Sequence, residues 1–515
     1  MTGVTGTTGV TGMTGAFVDA AAEGLPVDEA DFVIVGSGAG GGTAARVLAD
    51  AGHRVVVLEE GPLPERARLS PLMHESMRYL FRKQGKMVAF GAATIPLLQG
   101  CCVGGTTFVN SAIVWRLPGE VLRGWHRDFG LGDGLPAAAL EEAFATIEED
   151  LHVHPVTPPI ASRQDELAAR GAERAGIAAR AIRRNELDCQ GSGRCLHGCP
   201  HEAKQSHTVN YLRRAVAAGA QVVAHARVGR VLFDGQRAVG VSGRIAGTGA
   251  QAGRRFRVTA RRGVVLAASA IQSPNLLRKS GLAGEHLGEH FMAHPGTSVM
   301  ALYPERVDMW RGASQGYEMY GLRDTLGVKF ETINVPPEVA SARLPGAGAR
   351  LARYLERLDH LAVWAVALRA EAEGSVRPSW LLGDAVHYTL TGGDLARLRQ
   401  AMKRLAEMHF LAGAVEVLPG LHGLPETLTS PDQLCYFDEA PLDPQAYSLV
   451  ATHLFGGCRA GRDPARAVVD PSLAVHGCER LYVMDASVLP TNIGVNPQHS
   501  IMAVATVAAR RLAGA

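Results

Sequence analysis

The chain has 515 residues, a length that allows about two to four domains. Hydrophobic residues make up 47% of it and charged residues 20%, close to the proportions of folded globular proteins, which excludes a chain that is disordered throughout. The formal net charge of +2 predicts no strong electrostatic field for nucleic acid or an anionic membrane, and no apolar run reaches the roughly 18 residues that a membrane-spanning helix needs.

The N-terminus opens on an uncharged Thr/Gly repeat, MTGVTGTTGVTGMTGA. It has neither the basic region nor the long apolar stretch of a secretory signal. We therefore expect a disordered tail over residues 1–29 and a cytoplasmic location. Thiols stay reduced in that compartment, so the eight cysteines are expected to be free thiols or metal ligands rather than a disulfide framework.

The first predicted elements form a strand, a glycine turn, a helix and a second strand. The apolar runs DFVIV (31–35) and HRVVVL (53–58) predict the two strands, and GxGxxG follows the first of them. In this motif the first glycine permits a tight turn, the second lets the backbone approach a pyrophosphate, and the third lets the helix pack on the strand. An acid at the end of the second strand would bind ribose hydroxyls. The residues of this predicted site are Gly36, Gly38, Gly41 and Glu59.

This motif predicts a dinucleotide site, with the helix N-terminus facing the phosphates. By itself it does not separate FAD from NAD. Its place near the start of the chain, with no second copy, favours FAD.

Four further segments are GGTTFVN (104–110), SAIQSPNLLRKSGL (269–282), HLFGGC (453–458) and VMDASVLPTNIGVNPQHSIMAVA (483–505). Together with the N-terminal motif they resemble the glucose–methanol–choline (GMC) family of flavin oxidoreductases. The resemblance runs from about residue 30 to the end of the chain. It is weakest over roughly 120–180 and 300–440, where the family builds a variable substrate cap.

The resemblance implies an α/β fold in which a Rossmann-like FAD-binding domain is interleaved with an α+β substrate-binding cap. Because the segments alternate, we expect one two-domain body. The FAD-binding segments are 30–120, 200–292 and 440–515, and the cap segments are 121–199 and 293–439, which include a cysteine loop at 189–199.

Two segments in the first half of the chain are candidate cofactor contacts. Gly104 and Gly105 would let the backbone press against a flat ring, and Asn110 can hydrogen-bond a cofactor heteroatom. The alternative for this segment is an ordinary loop-to-helix turn. By resemblance, Val228 would touch the adenine region through its backbone.

Two later segments complete the predicted cofactor contacts. The run VVLAA (264–268) predicts a buried strand, after which Ser269 lets the chain turn close to the cofactor. By resemblance, Asp485 would hold the ribityl side of the flavin, with Ala486 beside it. The alternative for Asp485 is a turn-forming acid before a helix.

The resemblance places His453 at the flavin face and Asn496 at a second catalytic position, which holds His in some members and Asn in others. His499 competes for that second position, and the Asn-Pro dipeptide favours Asn496 because it fixes an extended approach to the next helix. Oxidation of a primary or secondary alcohol to an aldehyde or ketone removes a hydroxyl proton and sends a hydride to flavin N5. A neutral imidazole can take the proton, and a neutral amide can stabilise the developing alkoxide.

Cys189, Cys195 and Cys199 form the pattern C-x5-C-x3-C-P in a Gly-rich loop. Three thiols at this density resemble iron–sulfur ligation. The loop is also similar to two GMC branches: bacterial FAD-dependent sugar dehydrogenases, where such a trio binds a [3Fe-4S] cluster, and long-chain fatty alcohol oxidases. Zinc, with His197 or His201 as fourth ligand, and a metal-free structural loop are the alternatives.

A cluster would let electrons leave the flavin one at a time for a carrier or a cytochrome subunit. The enzyme would then be a dehydrogenase. The alternatives are an O2-using alcohol oxidase without a cluster, and a flavin protein with other chemistry, such as a lyase or an electron-transfer subunit. Aromatic residues in the cap are compatible with a small apolar alcohol pocket, which places fatty or terpenoid alcohols before sterols and polyols as substrates.

Overall fold

The computed structural model describes residues 15–514. Residues 16–19 form a strand that pairs in parallel with residues 221–224, and residues 20–23 continue as a short helix capped by the Asp19 side chain. The prediction of a disordered tail to residue 29 is therefore wrong from residue 16 onward, because this segment joins the edge of a sheet. The rest of that tail, residues 1–14, lies outside the described residues.

Strands supply two large sheets and one small one. They are β1 (Ala16–Asp19), β2 (Glu29–Val35), β3 (Val55–Leu58), β4 (Met87–Phe90), β5 (Ile95–Leu97), β6 (Val153–Pro155), β7 (Ala179–Ala181), β8 (Arg183–Asn185), β9 (Gln221–Ala224), β10 (Ala226–Asp234), β11 (Arg237–Ile245), β12 (Arg255–Leu266), β13 (Glu289–Leu302), β14 (Tyr317–Met319), β15 (Val328–Thr332), β16 (Leu361–Leu368), β17 (Gly374–Ser379), β18 (Gly383–His387), β19 (Glu416–Leu418), β20 (Val450–Phe455) and β21 (Leu481–Val483).

Helices cover both large sheets. They are α1 (Ala20–Glu23), α2 (Ala39–Asp50), α3 (Met73–Leu80), α4 (Thr106–Val109), α5 (Gly119–Phe129), α6 (Ala137–Asp150), α7 (Arg163–Ala175), α8 (Tyr211–Ala217), α9 (Gln272–Lys279), α10 (Pro337–Ser341), α11 (Ala349–Glu356), α12 (Gly392–Ala412), α13 (Tyr436–Glu439) and α14 (Gln498–Ala513). None of the helices within residues 15–514 is long and apolar enough to cross a membrane.

The first sheet contains the predicted strand–turn–helix–strand unit. Its order is β1-β9-β3-β2-β12-β11-β10, with β21 also paired to β12. The pairs from β1 to β12 are parallel, and β12, β11 and β10 form an antiparallel meander. The three valines and the leucine of β3 are fully buried, as expected for a parallel strand covered on both faces. Helix α14 packs against α2, so the last helix of the chain lies beside the helix that follows the glycine turn.

The second sheet is mostly antiparallel and has its own core. Its order is β17-β18-β4-β5-β20-β13-β16-β15-β14-β7, with β19 added on β13 and a further β17–β13 pairing. Helices α12 and α7 pack against each other on this side. The predicted FAD-binding segments include β4, β5 and β20, whereas hydrogen bonds join these strands to the second sheet. For these three strands the predicted domain segments therefore do not coincide with sheet membership. A strand belongs to the sheet of its hydrogen-bond partners, and those partners are distant in the sequence.

Candidate active site

A cavity of about 1430 Å³ is lined by residues from both sheets. Most of the residues singled out from the sequence for cofactor binding or catalysis meet in its wall. Those that line it are Gly36, Gly38, Glu59, Gly105, Asn110, Val228, Ser269, His453, Asp485, Ala486 and Asn496. Gly41, Gly104 and His499 do not line it.

The glycine turn between β2 and α2 forms one end of the cavity. Gly36 has a φ of +96°, which an L side chain rarely adopts. A Cβ on Gly41 would lie 2.0 Å from the Gly36 carbonyl oxygen, so this glycine permits close packing of helix on turn. A Cβ on Gly38 would meet no protein atom within 4 Å, because it would point into the cavity. Helix α2 starts there without a side-chain cap, which leaves its first N–H groups for an anion such as a pyrophosphate.

These contacts predict different outcomes for two alanine variants of the turn. Gly38→Ala should leave the apoprotein folded but lower the affinity for FAD at least about tenfold, since the added methyl group would enter the cavity space in which the pyrophosphate is expected. Gly41→Ala should instead destabilise the fold by about 1–3 kcal/mol, because its methyl group meets backbone. Flavin absorption per protein and the Tm of the apoprotein measure the two effects. Full FAD occupancy in Gly38→Ala would contradict this assignment of space.

Glu59 is a buried carboxylate at the end of β3. It accepts hydrogen bonds from the Ser37 backbone N–H at 3.1 Å, from the Ser37 hydroxyl at 2.6 Å and from the Gly61 N–H at 3.0 Å. Burial raises the pKa of Glu59, and these hydrogen bonds oppose that shift. The carboxylate thus ties the glycine turn to the next strand while it lines the cavity. A contact with ribose hydroxyls stays a prediction.

The two adjacent glycines before α4 have different surroundings. Gly105 lines the cavity with a φ of +53°. A Cβ on Gly104 would lie 2.2 Å from the Thr208 hydroxyl, so this glycine serves packing behind the cavity wall. Asn110 lines the cavity and donates from its side chain to Gln498. Of the two glycines, only Gly105 is placed to face a flat ring.

Asp485 joins the turns that follow β12 and β21. Its carboxylate accepts from the Ser269 N–H at 2.8 Å, from the Ser273 hydroxyl at 2.5 Å and from the Ser487 N–H at 2.8 Å. Burial raises the pKa of Asp485, and the hydrogen bonds oppose that effect. Ser269 has a φ of +104°, so its backbone is held in an unusual conformation beside this carboxylate. The structure therefore gives Asp485 an organising role at the cavity wall, whereas its contact with a ribityl chain stays a prediction.

The tautomer of His453 follows from a chain of hydrogen bonds. The side-chain amide group of Asn492 donates to the carbonyl oxygens of Ala293 and Ala370 at 3.0 and 3.1 Å, so its oxygen faces His294. His294 Nε2 must then carry a proton, and its Nδ1 accepts. His294 Nδ1 lies 3.1 Å from His453 Nδ1, so the latter is the donor. This arrangement leaves the lone pair on His453 Nε2.

His453 is therefore held as a neutral imidazole with a free lone pair. Strand register places it opposite His294 on the neighbouring strand β13. Desolvation lowers the pKa of His453 to about 3, and the charge of Lys329 adds to this effect. Burial lowers the pKa of His294 well below its usual value, and His453 adds to that shift. Both rings are neutral near pH 7 for this physical reason.

Asn496 lies next to this base, and its orientation is set by a buried lysine. Its Nδ2 lies 3.3 Å from His453 Nε2, and its Oδ1 accepts from Lys329 Nζ at 2.5 Å. Lys329 also contacts Glu331 and lies 3.3 Å from Glu318 Oε2, so its three donors all have partners. Because Lys329 holds the amide oxygen, the amide N–H group of Asn496 faces His453 and the cavity.

Sequence reasoning missed three residues of this arrangement, His294, Asn492 and Lys329. For Lys329 the sequence did contain a signal, because this lysine lies inside the strand-like run VKFET in a chain with only six lysines. His294 and Asn492 carried no local signal. His499 is buried, both its ring nitrogens lack a partner among the described residues, and it is absent from the cavity wall.

The cysteine loop does not form the predicted metal site. Within residues 15–514, no group of three or more His, Cys, Asp or Glu side chains is arranged to hold a metal ion. The guanidinium of Arg184, which is fully buried, lies 3.3 Å from Cys195 Sγ and 2.8 Å from Glu186. A buried cation therefore stands beside the Cys195 thiol. The residues Cys189, Cys195 and Cys199 do not fit a [3Fe-4S] cluster or a zinc site.

The chain is similar to known proteins in sequence and in structure. Family models described as GMC oxidoreductase match residues 77–296 and 372–505. The chain is 38% identical to an uncharacterized GMC-type oxidoreductase of Mycobacterium tuberculosis, over 95% of this chain and 76% of the relative. It is 27% identical to the long-chain-alcohol oxidase FAO1 of Arabidopsis thaliana, over 94% of this chain and 67% of the relative.

Among solved structures, pyridoxine 4-oxidase from Mesorbium loti superposes with a TM-score of 0.70. The superposition covers 93% of this chain and 98% of the oxidase at 19% sequence identity. The likeness confirms the α/β fold expected from the sequence.

Proposed function

Because the chain belongs to the GMC oxidoreductase family, we propose that it uses FAD to oxidise an apolar primary or secondary alcohol to the aldehyde or ketone. Members of this family are FAD-binding enzymes that act on CH–OH donors. The observation that carries the proposal is the 3.3 Å contact between His453 Nε2 and the Asn496 amide at the cavity wall.

FAD, when bound, supplies an acceptor for the hydride of the carbinol carbon. The glycine turn and the N-terminus of α2 would hold its pyrophosphate, and Gly105 would lie against its ring. His453 Nε2 takes the hydroxyl proton, while its Nδ1–H is held by His294. The Asn496 N–H group donates to the same oxygen and stabilises its developing negative charge.

The cap side of the cavity supports an apolar substrate. Carbon-rich side chains from several cap elements converge there, and such a lining favours a hydrocarbon chain over a sugar. They include Met300, Ile333, Val335, Val339 and Val363. The name of the Arabidopsis relative, a long-chain-alcohol oxidase, agrees with this substrate class.

The identity of the electron acceptor is a separate question from the oxidation of the alcohol. The cysteine loop had favoured a dehydrogenase that passes electrons through a cluster to a carrier. Since its residues do not fit a cluster, the proposal includes neither the cluster nor that electron path. We propose instead direct reoxidation by O2 or by a small acceptor.

The test uses the FAD-loaded enzyme and a series of straight-chain primary alcohols. Anaerobic flavin bleaching reports substrate oxidation, and readmitted O2 or an added dye reports the acceptor. We expect kcat/KM to rise roughly three- to fourfold per CH2 group over the shorter alcohols, from the hydrophobic free energy of one methylene. Matched methyl ethers, which have no hydroxyl proton, should leave the flavin oxidised.

Two results would contradict the proposal. Polyols that react better than alkanols of equal length would overturn the apolar substrate class. Flavin that no alcohol reduces would favour a lyase or an electron-transfer subunit.

A further inference from the structure

The hairpin that joins β17 to β18 ends in an exposed apolar tip, defined here as residues 380–382. Trp380 is 96% exposed, Leu381 71% and Leu382 40%. The four other tryptophans of the chain are buried or half-buried. Three consecutive large apolar side chains in water are unfavourable, so such a patch marks a surface that meets an apolar partner.

Two lysines stand beside this tip. Strand β18 runs parallel to β4, so the segment 82–86, which leads into β4, lies next to the tip. Lys83 Nζ donates to the Leu382 carbonyl oxygen at 2.5 Å. Lys83 and Lys86 are both exposed, and neither makes an ion pair with any residue in 15–514.

The acid nearest in sequence to the tip turns away from it. Asp384 is mostly buried, accepts from Gln272 and Asn275, and lies 3.8 Å from Lys279. Asp384 and Arg82, which directly precedes Lys83, line the cavity. The outer surface of the tip therefore combines apolar side chains with uncompensated positive charge, and the cavity wall begins within two residues of it.

The tip is held in place before any partner arrives. Ser379 pairs with Gly383 across the hairpin, and the Leu382 N–H donates to the Ser379 hydroxyl at 3.1 Å. The bond from Lys83 adds a third restraint. Little conformational entropy is then lost on binding, because the apolar side chains already project from an ordered turn.

We propose that the apolar tip inserts into the surface of a lipid bilayer, with Lys83 and Lys86 at the level of anionic headgroups. Indole rings favour the membrane interface, and lysines next to an apolar segment add attraction to anionic lipid. A lipid surface fits better than a protein partner. Three residues on a narrow turn offer far less than the roughly 800 Å² per partner of a stable protein interface.

The overall net charge of +2 does not oppose this docking, because insertion depends on the apolar tip and on local charge. Docking would also bring one edge of the cavity wall close to the lipid. The proposal concerns binding only and holds whether or not the enzyme oxidises apolar alcohols.

The experiment uses the full-length FAD-loaded protein with vesicles of phosphatidylcholine, alone or mixed with phosphatidylglycerol. Cosedimentation gives the partition coefficient, and tryptophan emission reports burial of Trp380. We expect binding, stronger on the anionic vesicles, with a blue shift of the emission. Trp380→Ser/Leu381→Ser should lower the partition coefficient at least about tenfold on both vesicle types.

Two further variants separate the contribution of the lysine charges from that of the apolar tip and control for the loss of any exposed leucine. Lys83→Gln/Lys86→Gln should lose the preference for anionic vesicles and its salt dependence, while binding to phosphatidylcholine persists. Leu442→Ser, which removes an isolated leucine that is 46% exposed, is the matched control and should bind like the parent protein. Tm and flavin absorption confirm that each variant is folded.

Several outcomes would overturn the proposal. One is absence of vesicle binding by the parent protein. Another is a tip variant that binds as well as the parent. If the tip variant instead changes the sedimentation coefficient of the protein without vesicles, the tip belongs to an interface between two copies of the chain.

Discussion

His453→Ala is expected to lower kcat/KM for the best alcohol by roughly 10²- to 10⁴-fold, the range for loss of a general base. The alanine cannot accept the hydroxyl proton, and none of the neighbouring groups replaces it. The lone pair of His294 Nδ1 is used by His453 itself, and the Asn496 nitrogen is a donor. Steady-state kinetics give the loss, and flavin absorption checks that FAD remains bound.

The pH dependence of kcat/KM in the parent enzyme follows from the pKa of His453. Desolvation lowers the pKa of His453 to about 3, so the imidazole is almost entirely neutral from about pH 5 upward. In the parent enzyme kcat/KM should therefore stay level as the pH falls from 7 to about 5, with no inflection near the 6.5 of a free imidazole. An inflection near 6.5 would contradict this environment for the base.

His499→Gln is the matched control for His453→Ala. His499 is also buried, but it does not line the cavity. We expect kcat/KM within about twofold of the parent enzyme, since surrounding packing is the only feature the change affects. A loss approaching that of His453→Ala would instead assign the second catalytic position to His499.

Lys329→Met is expected to lower kcat by roughly 10²-fold with little change in KM, comparable to loss of one oxyanion-stabilising donor. Lys329 is a positioning residue, because it acts through Asn496. Without the bond to the amide oxygen, the Asn496 side chain can turn its oxygen toward His453, where it would repel the developing alkoxide. Initial rates over a range of alcohol concentrations separate kcat from KM.

Lys329→Met also removes the lysine cation from the buried carboxylates of Glu318 and Glu331. Glu318 retains Arg180 at 2.7 Å, whereas Glu331 loses its ion pair, at an expected cost of about 3–5 kcal/mol. Lys329→Met/Glu331→Gln removes one charge of each sign and keeps the cluster balanced. It should restore most of the lost Tm but not the lost kcat.

A double-mutant cycle distinguishes positioning from a merely structural role. In the Asn496→Ala background the lysine has no amide to orient, so Lys329→Met should cost much less there than in the parent enzyme. If the two losses add within about 0.5 kcal/mol, Lys329 acts independently of Asn496, and the assigned role is wrong.

The cofactor turn was predictable from the sequence because it is local. Gly36, Gly38, Gly41 and Glu59 lie within one strand–turn–helix–strand unit, and short-range sterics determine its geometry. The α/β fold and the cavity positions of His453 and Asn496 were also expected, from motifs that the family shares. Their catalytic roles remain proposals until the variants above are measured.

The cysteine loop shows that the spacing of cysteines in a sequence is not sufficient to predict a metal site. The pattern of Cys189, Cys195 and Cys199 predicts a ligand set only if the three thiols converge on one point. Arg184 precedes the loop and carries no motif, yet its buried guanidinium stands beside Cys195 Sγ. Sequence spacing cannot show which side chains surround a candidate ligand in the fold.

Sequence by itself determined the cofactor turn, the fold class and the identity of the two facing catalytic candidates. Only the tertiary structure decided which nitrogen of His453 carries the proton and which way the Asn496 amide points. Those decisions depend on His294 and Lys329, which lie on other strands of the second sheet. Strand register brings His294 to His453 over a separation of 159 residues, and the loop before α14 carries Asn496 to Lys329 over 167 residues. Both contacts are set by packing of the whole molecule rather than by local sequence.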